Sequence, residues 1–63
     1  MNAAQLKTLI AKTINQVIRT NSDNKVEMIT EIFPKQLASM LMIPEIQAKN
    51  YVFQVAKEID GAL

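Results

Sequence analysis

The chain's two prolines, Pro34 and Pro44, and its one glycine, Gly61, are the only strong breakers of regular structure in 63 residues. No stretch alternates apolar and polar residues for long enough to specify a strand, and no segment repeats. Apolar residues instead recur at steps of three and four, the period of an amphipathic helix. The pattern predicts an all-α fold, a single small domain of three to four helices over 1–63, at about 3–20, 25–33, 34–42 and 44–60.

Local signals set each boundary. Asn2 is a favourable cap, and Gln5 follows it in capping-box spacing. Leu6, Leu9, Ile10, Ile14 and Val17 then form one stripe, which ends in the turn-forming run Thr20-Asn21-Ser22-Asp23-Asn24. Asn24 and Glu27 repeat the capping box, and Val26, Ile29, Ile32 and Phe33 make the buried side of the second helix. Pro34 disfavours helical backbone at Phe33 but suits the first turn of a third helix, whose inward residues are Leu37, Met40 and Leu41. Pro44 repeats the device behind Ile43 as a poor cap. A kinked single helix from 34 to 60 is the alternative, but a proline inside a helix costs about 3 kcal/mol, which favours a break. Ala48, Val52, Val55, Ile59 and Ala62 form the inner seam of the fourth helix, with Gly61 as its C-cap.

In the middle of the chain, Leu37-Ala38, Leu41, Ile43, Ala48 and Tyr51 stand at spacings that bring two short helices together around a turn. Over residues 34–53 this resembles the helix-turn-helix of DNA-binding proteins. The resemblance implies that Ala38 permits a close crossing, that Leu41 and Ile43 bracket the turn, and that Ala48 and Tyr51 fasten the second helix to the first. It departs from the family at Met42, where the turn normally carries Gly, and at Pro44, where it normally carries a small polar cap. In that register Ile46, Lys49, Asn50 and Phe53 face the major groove. Asn50 is suited to a bidentate contact with adenine, Ile46 to a thymine methyl, and Lys49 and Lys57 to guanine or phosphate. The competing reading is that Ile46 and Phe53 are covered by the first helix. Glu45, beside the phosphates, opposes DNA binding.

Charge is uneven. Residues 1–22 carry Lys7, Lys12 and Arg19 with no acid, a net of +3, and the remainder nets −2. Gln5, Thr8, Lys12, Asn15, Gln16 and Arg19 share the polar face of the first helix, a hydrogen-bonding and mildly basic surface that suits phosphate contacts from Lys12 and Arg19. An ordinary solvated face explains the same residues. Glu27 and Glu31 share a helical face and read as surface acids, since nothing nearby completes a catalytic or calcium-binding set.

Composition narrows the task. A domain of 63 residues buries only about 60 % of the surface its unfolded chain exposes. This one has no Cys for a disulfide and no His or Cys for zinc, yet it is 49 % apolar. Burial of part of that surface against a second copy, giving a homodimer, is the simplest resolution. One Tyr, two Ser and no His or Cys leave no nucleophile–base pair, so the expectation is a non-enzyme with no cofactor, metal or small-molecule substrate. The longest apolar run, 40–43, is too short to span a bilayer, and no secretory signal opens the chain, so no membrane role and a cytoplasmic location are expected. The leading functional expectation is a small regulator or accessory factor that binds double-stranded DNA through helix 44–60. The alternative is a protein-interaction module, an adaptor, inhibitor or assembly subunit, docking through Ile46 and Phe53.

Overall fold

The computed structural model describes residues 2–20, 23–59, 61 and 62, and among these every regular element is helical. The order is α1 (Ala3–Thr20), α2 (Lys25–Glu27), a π turn (Met28–Ile32), α3 (Phe33–Leu41) and α4 (Glu45–Ala56). The capping box at the start of α1 is formed, with the Gln5 N–H donating to Asn2 Oδ1 at 2.8 Å and the Asn2 N–H to Gln5 Oε1 at 3.0 Å. Arg19 in the last turn complements the helix dipole. The expected turn at Asn21 and Ser22 lies outside the described residues.

Pro34 does not end a helix. The chain runs helically from Lys25 to Leu41, and the π turn absorbs the proline: the Phe33 N–H bonds the Met28 carbonyl, five residues back instead of four. Widening the coil there relieves the clash between the proline ring and the preceding turn, and Pro34 is buried. Two further expectations for this stretch are corrected. Asn24 makes no side-chain cap, because its backbone (φ −119°, ψ 33°) is not the extended form that an N-cap requires. Val26 is exposed although Ile29 is buried, since the π turn breaks the uniform angular step linking Val26 to Phe33. Met40 is also exposed. Pro34, Leu37, Ala38 and Leu41 set the inward face of α3, and at about 100° per residue Met40 falls roughly a quarter-turn away from it.

The core joins Ile10, Ile14 and Val17 of α1, Ile29 of the π turn, Leu37 and Ala38 of α3, and Ala48, Val52, Val55 and Ala56 of α4, with Ala62 closing it. The helix α4 is shorter than expected. It ends at Ala56, and single turns follow, with Glu58 N–H to Val55 O at 3.0 Å and Ile59 N–H to Ala56 O at 3.1 Å; Asp60 lies outside the described residues. Gly61 therefore serves a later turn (φ 81°) rather than capping α4, and its carbonyl accepts from Lys25 Nζ at 2.6 Å. The Cα radius of gyration is 10.8 Å, against about 10.6 Å for a compact chain of this length. The core thus closes within one chain, and the apolar excess appears at the surface as Val26, Met40, Met42, Ile46 and Phe53. No described helix is long and apolar enough to cross a membrane.

Candidate functional site

The helices α3 and α4 pack on each other more extensively than any other pair, around the small residues Ala38 and Ala48, both buried. The turn between them is made by Met42 in the left-handed conformation (φ 57°, ψ 45°), whose N–H bonds the Ala38 carbonyl. The Ile43 N–H bonds the same carbonyl at 3.1 Å. Left-handed backbone is ordinarily given to Gly, and here it points a methionine side chain outward, 92 % exposed. Met42→Gly is accordingly expected to stabilise the fold by about 1 kcal/mol, raising Tm by about 4–8 °C in a thermal melt. An unchanged or lower Tm would show that the methionine contributes contacts worth more than the strain.

Pro44 is the N-cap of α4 and not its first residue. Its extended backbone (φ −60°, ψ 145°) leaves its carbonyl free to accept from the Gln47 and Ala48 N–H groups, both at 3.1 Å. Without a side-chain cap, the helix start gains from Glu45 in its first turn, whose negative charge complements the dipole. That gives Glu45 a local role whatever binds nearby.

Ala48, Val52, Val55 and Ala56 turn inward, which leaves Ile46, Asn50, Phe53 and Lys57 along the outer line of α4. All four are exposed, Ile46 by 68 % and Phe53 by 38 %. The first helix does not cover them. It meets α4 on a flank instead, where Leu6, Lys7 and Ile10 line a shallow groove with Tyr51 and Gln54. Tyr51 is half-buried there and its hydroxyl accepts from Gln47 Nε2 at 2.9 Å.

Lys49 stands apart from the other predicted site residues. It lies at the opposite flank, and its ammonium is 3.5 Å from Glu31 Oε2 on the π turn. Eighteen positions of sequence separate the two, and no local spacing rule reports a pair of that kind. Lys12 and Arg19 are exposed on α1, where they line shallow depressions formed by that helix alone, and neither makes an ion pair among the described residues. Lys7 is different, paired with Glu58 at 3.3 Å. The described residues hold no cluster of three or more His, Cys, Asp or Glu side chains able to take a metal. The arrangement offers a polar and apolar ridge for contact, with cations at its margins. No family model matches the chain, and neither does any curated protein or solved structure.

Proposed function

We propose that this is a small non-enzymatic DNA-binding protein, a regulator or accessory factor, that presents α4 to the major groove. The observation carrying the proposal is the open outer line of α4, Ile46-Asn50-Phe53-Lys57, beside a bend with the pattern of a helix-turn-helix. Asn50 would read adenine, Ile46 would meet a thymine methyl, Lys49 and Lys57 would reach guanine or phosphate, and Lys12 and Arg19 would add phosphate contacts from α1. One module of this size contacts about 600–1,000 Å², so a homodimer on two half-sites is part of the proposal.

A second reading has its own support. Ile46 and Met42 are large apolar side chains left mostly exposed, as at protein-docking surfaces, and Glu45 in the first turn of α4 would repel phosphates. On that reading α4 docks a protein partner through Ile46 and Phe53.

Salt separates the two. If about four phosphates are neutralised, affinity for a duplex selected from a random library falls more than about a hundredfold between 50 and 200 mM salt, whereas apolar docking barely responds. Asn50→Ala is expected to remove sequence preference in gel retardation and Lys49→Ala to weaken retardation of every duplex, with helical circular dichroism unchanged in both. Retardation of the selected duplex that both variants leave intact would overturn the DNA reading.

A further inference from the structure

We propose that Glu31 acts as an internal stand-in for a DNA phosphate at Lys49, neutralising that edge of α4 until a duplex displaces it; this rests on the DNA reading above. The two groups come from different elements, Glu31 from the π turn ahead of α3 and Lys49 from the middle of α4. Their side chains are unequally exposed, 62 % for Glu31 and 30 % for Lys49. Glu31 is therefore the more exposed member of the pair.

Glu45, one turn before Lys49 on the same helix, makes no ion pair among the described residues, so Lys49 is committed across the structure and not along its own helix. A backbone phosphate that takes Lys49 must displace Glu31 and then lie beside an unpaired carboxylate. That cost falls on every duplex alike, so Glu31 lowers affinity for DNA in general without changing preference. Only a duplex whose bases also satisfy Asn50 and Ile46 binds tightly enough to offset it. It is a positioning residue that acts through Lys49.

The test uses the full chain, a duplex selected from a random library and an unrelated duplex of the same length, each titrated over a range of salt. Glu31→Gln should tighten binding to the unrelated duplex by about three- to fivefold, the size of an exposed ion pair, and steepen its salt slope by about 0.9. The selected duplex should gain by the same factor, leaving its preference unchanged. Glu27→Gln removes the same charge one helical turn away, where no bond to Lys49 exists, and should do markedly less. In a Lys49→Ala background the effect of Glu31→Gln should fall to that of Glu27→Gln, the plain loss of one acid. Equal effects from Glu27→Gln and Glu31→Gln in the unaltered background, or a full Glu31→Gln effect that survives Lys49→Ala, would overturn the role of Glu31 while leaving DNA binding in place. Failure of the unaltered chain to retard either duplex at low salt would remove the DNA reading and this inference together.

Discussion

Ile14→Ala is expected to remove half or more of the folding stability. Ile14 is completely buried in the middle of α1, at the centre of the core shared with α3 and α4. Truncating a buried Ile costs about 2–5 kcal/mol, depending on how far the surroundings collapse into the gap. Here collapse is hindered. Among the described residues, four of the eleven that form the buried core are Ala (Ala38, Ala48, Ala56 and Ala62), whose side chains have no length with which to refill a space. The total available is small as well, on the order of 3–9 kcal/mol at typical stability per residue, and neither a disulfide nor a metal cluster reinforces the described residues. A urea titration followed by circular dichroism should show the midpoint falling by half or more, or a chain already partly unfolded in buffer. Ile46→Ala, at an exposed position of α4, is the control and should stay within about 0.5 kcal/mol. A midpoint near that of the unaltered chain for Ile14→Ala would mean that the helices are held by something other than this core.

How much of this was legible in the residues depends on the range of the interaction concerned. The Asn2–Gln5 capping box is a contact three residues apart, and it forms as the spacing predicts. The α1 stripe and the α4 seam follow from periodicity, and Ile10, Ile14, Val17, Ala48, Val52 and Val55 are all buried. Pattern reading failed where one local rule met another. Pro34 signals a break, yet a single π turn lets the helix continue through it, and the same turn shifts the phase on which the inward placement of Val26 depended. Asn24 and Glu27 have the spacing of a cap, but the backbone angles at Asn24 do not supply its geometry. At the site, the residues of the outer line share a helix face and could be grouped in advance. Whether α1 covered that face depended on how two helices cross, which one strand of sequence does not specify. The partnership of Glu31 with Lys49 depends on the same packing, because it joins side chains of two different elements.

Ile46→Lys should move the two functional readings in opposite directions. The position is 68 % exposed in the first turns of α4, so a long polar side chain fits without disturbing the core, and folding should be unaffected by circular dichroism. If α4 enters a groove, the new ammonium adds a phosphate contact. An unrelated duplex should then bind several-fold more tightly, with a salt slope steeper by about 0.9. Preference for a selected duplex should fall at the same time, because the apolar contact with a thymine methyl is lost. If α4 instead docks a protein or a second copy through Ile46 and Phe53, the same change buries an unpaired charge at the centre of an apolar contact. A loss of about 2 kcal/mol or more, roughly thirtyfold in affinity, is then expected, and light scattering should report a monomer across concentrations at which the unaltered chain associates. Measuring duplex retardation and solution mass on one preparation gives both signs at once. Tighter non-specific retardation with unchanged mass selects the nucleic-acid role, and lost association with no gain toward DNA selects the docking role. No change in either would mean that the exposed line of α4 is not the working surface.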